Sequence, residues 1–187
     1  MRWIMLGPPG SGKGTQAKKL AAACGSNHLS TGDMLRAEVA SGTEVGRAAR
    51  AFMDRGDLVP DDLILKMIAG RLESLGNGSG FILDGFPRTE AQAVALDRML
   101  ETMGWPVDRV VLVRVGDAEI KSRLAGRARA EGRADDSEDI IDRRLEVYRE
   151  QTEPLIAYYR GKGKLAEVQG EQPIDVVYGE LKKLAES

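Results

Sequence analysis

Cysteine is nearly absent: Cys24 is the only one in 187 residues. A single thiol excludes an internal disulfide and a cysteine-based zinc site within one chain. A surplus of positive charge is also missing. Lys and Arg total 27 against 29 Asp and Glu, for a net charge of −2 and a pI near 5.6. That balance argues against a general nucleic-acid binder, which usually shows a basic domain. No apolar run approaches the ~18 residues of a membrane span. The apolar start through Leu6 is cut short by Gly7-Pro8-Pro9-Gly10, which argues against a signal peptide, so the expected compartment is the cytoplasm. Internal repeats and long Pro/Ser linkers are missing too. What remains is ordinary for a globular chain, with 42% hydrophobic and 30% charged residues, and it is too apolar for disorder. The length suits one domain with a real core.

Two residue types are plentiful. Gly numbers 22, clustered near Gly7–Gly14 and Gly76–Gly85. Arginine outnumbers lysine two to one, so an arginine outside any motif is read as surface. Apolar runs punctuated by Gly and Pro predict strands at Trp3–Leu6, His28–Leu29, Phe81–Asp84, Arg109–Val115 and Lys164–Val168. Between them, helices are predicted over Lys13–Cys24, Thr31–Ala40, Glu44–Arg55, Asp61–Leu75, Thr89–Met103 with Thr89 as N-cap, and Asp117–Ala128. A long helix over Ser137–Arg160 is expected to kink at Pro154, and a last one covers Pro173–Ala185. Strand–helix alternation with continuously apolar strands is the pattern of a parallel sheet covered on both faces, an α/β fold. Ser30–Val59 and Gly126–Asp136 fit no layer and read as inserts on the ligand-binding edge.

Chemistry concentrates first in Gly7-Pro8-Pro9-Gly10-Ser11-Gly12-Lys13-Gly14-Thr15, between a strand and a helix. Glycines let backbone N–H groups turn toward phosphate oxygens, and the helix N-terminus adds its dipole. Lys13 supplies a mobile positive charge. Gly14 stands where the general phosphate-loop pattern has a Ser or Thr to bind Mg²⁺, and Thr15 follows one place later. Asp84 ends a buried strand beside Gly85, where a carboxylate can hold Mg²⁺ through water. His28 is read as a strand-end residue and Cys24 as part of the core.

Gly12-Lys13-Gly14-Thr15-Gln16 resembles the nucleoside monophosphate kinases, the adenylate kinase family in particular. Further motifs follow in order. Leu29-Ser30-Thr31-Gly32-Asp33-Met34-Leu35-Arg36 is similar to the family's monophosphate entry, and Gly56-Asp57-Leu58-Val59-Pro60 to the end of that insert. Asp84-Gly85-Phe86-Pro87-Arg88-Thr89-Glu90-Ala91-Gln92 resembles its most specific signature. Arg127 with Arg133-Ala134-Asp135-Asp136 resembles a lid, and Arg144-Leu145 a further phosphate contact. The resemblance spans residues 1–187.

The resemblance implies a five-stranded parallel sheet in a three-layer α/β/α core of residues 1–29, 60–125 and 137–187, a monophosphate-binding insert at 30–59 and a lid at 126–136. It implies an ATP site of Gly10, Ser11, Gly12, Lys13, Gly14, Thr15, Arg123, Arg127 and Gln172. The AMP site would draw on Thr31, Arg36, Asp57, Leu58, Val59, Gly85, Phe86, Pro87, Arg88, Gln92, Arg133 and Arg144. Lys13, Arg88, Arg123, Arg133 and Arg144 would be catalytic, with Asp84 holding Mg²⁺ through water. Phosphoryl transfer is mostly positioning and charge neutralisation, and planar guanidiniums grip phosphates bidentately. Thr31 and Gln92 match the adenylate kinase pattern, where pyrimidine kinases look different. Five residues between Arg127 and Arg133 make a short lid, so no structural zinc is expected. The implied reaction is MgATP plus AMP to two ADP, in a monomer without nucleic-acid or membrane partners. A UMP/CMP kinase and a non-catalytic phosphate-loop switch are the alternatives; a switch would lack Arg36 and Arg88.

Overall fold

The computed structural model of the chain describes residues 1–76, 78–131 and 137–186. In order, the elements are β1 (Arg2–Leu6), α1 (Lys13–Ala23), β2 (Asn27–Ser30), α2 (Thr31–Ala40), α3 (Glu44–Met53), α4 (Asp61–Glu73), β3 (Phe81–Asp84) and α5 (Glu90–Thr102). They continue with β4 (Arg109–Arg114), α6 (Asp117–Glu131), α7 (Glu138–Val147), a π-turn (Tyr148–Thr152), α8 (Leu155–Gly161), β5 (Leu165–Gln169) and α9 (Ile174–Glu186).

The strands form one five-stranded sheet in the order β2-β3-β1-β4-β5, parallel at every pairing. Side chains alternate between its faces. Ile4, Leu6, Phe81, Leu83, Val110 and Leu112 join one core with α4, α5 and α8. Trp3, Met5, Ile82, Val111 and Val113 join another with α1 and α9. Burial on both faces explains why these strands read as unbroken apolar runs. A third, smaller cluster of Ile120, Leu124, Ile141 and Leu145 pins α6 to α7.

This strand order makes a crevice. The connection leaving β1 runs out to β2, while the one leaving β3 crosses to β4 on the opposite face. Neighbouring strands whose connections diverge leave an opening at their carboxyl ends, the usual ligand site of open α/β sheets. Met5 and Asp84 stand side by side at that edge.

Three sequence expectations need correction. Cys24 is exposed rather than in the core. Helix α1 ends at Ala23, Gly25 turns at φ +61°, and Ser26 N–H closes on the Ala21 carbonyl at 2.9 Å, so the chain peels away. Helix α6 runs through Gly126 to Glu131, because the Arg, Ala and Glu residues around that glycine are strong helix formers. The 137–160 helix opens before its proline. Pro154 has no N–H to offer the preceding turn, and Glu153 N–H bonds five residues back to Tyr148 at 2.8 Å, which widens the coil into the π-turn.

Candidate active site

The loop after β1 is held open by local geometry. Gly10 has φ +78°, and a Cβ there would lie 2.8 Å from Leu124 Cγ. Gly14 sits so close to Asp84 that a Cβ would fall 2.9 Å from Oδ2. A Ser or Thr side chain at that place would displace the carboxylate, which is why glycine stands there. Helix α1 has no side-chain N-cap and no acidic residue in its first turn, so its N–H groups and dipole are left for an anion. Lys13 Nζ donates to the Pro8 carbonyl at 3.0 Å. Burial pushes its ammonium down to about 8; Asp84 works against the shift, and Arg88, Arg144 and Arg127 add to it. A negatively charged ligand would relieve that crowding of cations.

Asp84 is 8% exposed. Burial works to raise its pKa, but the neighbouring His28 and the Lys13 charge outweigh it, and the carboxyl is held below its ordinary value. Its Oδ1 is buried without a protein partner, while Oδ2 lies 3.7 Å from His28 Nε2. An ionised carboxylate that lines the cleft beside the loop and keeps one unsatisfied oxygen fits a Mg²⁺ ion held through water, since Mg²⁺ keeps most of its hydration. Bound with ATP, that ion would neutralise phosphate charge.

The turn after β3 builds the second half. Arg88 Nε donates to the Gly85 carbonyl at 2.8 Å, which fixes the guanidinium over the crevice. Thr31, at the start of α2, donates to Gly85 O at 2.9 Å and ties the 30–59 insert to β3. Thr89 caps α5 by accepting from Gln92 N–H at 3.1 Å, as predicted. Gln92 Oε1 in turn accepts from Arg88 N–H at 2.7 Å, and its Nε2 donates to Asp61 Oδ1 at 2.6 Å. Thr31, Leu35, Arg36, Leu58, Val59, Gly85, Arg88, Gln92 and Arg144 line one pocket, floored by Ile64 and Met53. Asp57 lines it too, but its carboxylate is taken by Arg143 and Arg55; their hydrogen bonds hold its pKa below the ordinary value.

The larger cleft, about 890 Å³, is lined by Gly10–Thr15, Asp84, Arg123, Arg127, Gln172 and Ile174, within the usual size of small-molecule sites. Arg123 pairs with Glu119 at 2.6 Å and reaches Ser11 O at 3.5 Å. Gln16 Nε2 donates to Ile174 O at 2.8 Å, tying α1 to the turn that carries Gln172. Gly32, Arg36, Gly85, Arg88 and Arg144 line both the cleft and the pocket.

Not every expected residue lies there. Phe86 is in the core at 1% exposure, and Pro87 faces a small space between the loop, Arg88 and Thr152. Arg133, with the rest of residues 132–136, lies outside the described residues. Two contributors had no signal of their own. Asp61 holds the Gln92 amide, and Thr152 donates to the Arg88 carbonyl at 2.9 Å from 64 residues away. Proline in a long helix was the available hint to the π-turn that aims Thr152.

A parallel α/β sheet, a glycine loop with a half-buried lysine, and arginines converging across two connected cavities define a phosphate-loop nucleotide-binding protein. Comparison with known proteins narrows this. The adenylate kinase family model matches residues 5–164. An adenylate kinase of Stenotrophomonas maltophilia is 50% identical over 177 residues, covering 95% of each chain. One from Parvibaculum lavamentivorans is 52% identical over 97% of this chain and 90% of its own. One from Xanthomonas campestris pv. campestris is 48% identical over 100% of this chain and 98% of its own. The chain belongs to the adenylate kinase family.

Proposed function

We propose that the chain transfers a phosphoryl group reversibly from MgATP to AMP, giving two ADP. The observation that carries this reading is the sharing of Arg36, Arg88 and Arg144 between the loop-lined cleft and the Gln92 pocket. A protein that binds one nucleotide needs no cationic wall facing a second. ATP would occupy the cleft of Gly10, Ser11, Gly12, Lys13, Gly14, Thr15, Arg123, Arg127 and Gln172. AMP would occupy the pocket of Thr31, Arg36, Leu58, Val59, Gly85, Arg88, Gln92 and Arg144.

The mechanism needs no strong base, because the acceptor phosphate is already anionic. Lys13 and the α1 N–H groups draw the donor's terminal phosphates inward. Arg88 and Arg144 hold the acceptor phosphate opposite them, and the same guanidiniums face the charge that spreads over the transferring group. Asp84 would hold Mg²⁺ through its waters. The chain would act as a monomer, as its resemblance to the family implies. The 30–59 and 126–136 segments would close over the nucleotides and exclude water, which would otherwise accept the phosphoryl group. Transfer from MgATP measured against AMP, GMP, UMP and CMP tests the reading. Turnover with AMP far above the rest is expected, and a preference for UMP or CMP, or none with any acceptor, would overturn it.

A further inference from the structure

Gln92 is 2% exposed, and its amide is gripped at both ends. Oε1 accepts from the Arg88 N–H at 2.7 Å, and Nε2 donates to Asp61 Oδ1 at 2.6 Å. A glutamine amide can turn by half a revolution and exchange donor for acceptor with little change of shape. Here that turn would set the NH₂ group against the Arg88 N–H and the oxygen against the Asp61 carboxylate. Two hydrogen bonds would become two repulsive contacts, so its partners fix its polarity. Asp61 is itself held, its other oxygen accepting from Thr89 Oγ1 at 3.4 Å.

Each end of the amide keeps one valence, a second N–H on Nε2 and a second lone pair on Oε1. A 6-aminopurine offers an acceptor at N1 beside its 6-amino donor. A 6-oxopurine has the same outline with the polarity reversed, a donor at N1 beside an acceptor at O6. An amide free to turn would serve both bases equally; a fixed one serves only one of them and leaves the other with unpaired polar groups, the usual source of strong discrimination.

We propose that Asp61 is a specificity-determining residue: by holding Gln92 Nε2 it locks the amide in the polarity that accepts a 6-aminopurine and rejects a 6-oxopurine. Asp61 does not line the pocket, so it acts through Gln92 as a positioning residue. The inference rests on the reading of this pocket as the AMP site.

AMP and IMP are the cleanest probes, because they differ only at N1 and the 6-position. The ratio of their kcat/KM values is measured with MgATP for the wild type and for Asp61→Leu, Asp61→Ala and Asp61→Asn, with the KM for ATP as the check on folding. The ratio is expected to fall about tenfold in Asp61→Leu or Asp61→Ala, roughly the worth of one hydrogen bond. It falls rather than vanishes, because Arg88 N–H still biases the amide. Asp61→Asn keeps an acceptor oxygen and is expected to stay within about twofold of the wild type. A ratio unchanged in whichever of the Leu and Ala variants keeps the wild-type KM for ATP would overturn the lock. So would AMP and IMP efficiencies falling together, the mark of a structural role. A wild type that phosphorylates neither would overturn the acceptor-site reading instead.

Discussion

Lys13 has to be charged to attract phosphate, yet burial pushes its pKa down to about 8 from an ordinary 10.5. Between those pH values the unfolded chain binds more protons than the folded one. Folding stability from this group therefore rises as pH climbs from about 8 to 10.5, and its cost is full below 8. Phosphates brought by ATP favour the ammonium and raise its pKa again. ATP binding at pH 8.5 is expected to take up a fraction of a proton, read by calorimetry in buffers of different ionisation enthalpy. Lys13→Met is expected to lose both that uptake and at least ~100-fold in transfer rate, about 3 kcal/mol. Binding without proton uptake in the wild type, or normal turnover in a folded Lys13→Met variant, would remove Lys13 from this role. Arg88→Ala should raise the KM for AMP far more than that for ATP, since losing a partner of a buried phosphate commonly costs ~2–5 kcal/mol. Equal effects on both nucleotides would mean that Arg88 does not belong to the acceptor. These residues were legible in sequence because each sits inside a dense local motif. Asp61 and Thr152 were not, because their partners lie 31 and 64 residues away and a lone carboxylate or hydroxyl carries no periodic signal.

At the scale of elements, local chemistry set most boundaries. Thr89 and the Gly42 and Gly56 turns sit where the sequence puts them. The departures occur where tertiary contacts decide. Within the 30–59 insert, α2 and α3 touch backbone to backbone: a Cβ on Gly46 would lie 2.1 Å from the Glu38 carbonyl oxygen. No rotamer change relieves such a contact. Gly46→Ala is expected to cost ~1–3 kcal/mol or more by forcing the helices apart, with the KM for AMP raised and that for ATP little changed. A melting temperature and AMP KM like the wild type's would contradict that packing. The π-turn makes a second test. Thr152→Val keeps shape but drops the hydroxyl on the Arg88 carbonyl; kcat/KM for AMP is expected to fall about tenfold, the worth of one hydrogen bond, and Thr152→Ser to restore it. Equal activity in the two variants would show that the π-turn does not serve Arg88.

For the whole molecule, the sheet order places the glycine loop, Asp84 and Arg88 at one edge of the sheet, and the divergent connections of β1 and β3 open the crevice between them. The α/β class and five parallel strands were legible because doubly buried strands must be apolar throughout. How the two cavities join was not, since it depends on which arginines cross between them. Asp57 paired with Arg143 at 2.9 Å already links the end of the insert to α7, the helix that carries Arg144. The central claim is direct transfer between two bound nucleotides with water excluded. Phosphorus NMR of the protein with Mg²⁺ and ADP alone tests it most directly. ATP and AMP are expected to appear in equal amounts with no inorganic phosphate; unchanged ADP, or phosphate accumulating in place of ATP, would contradict the account.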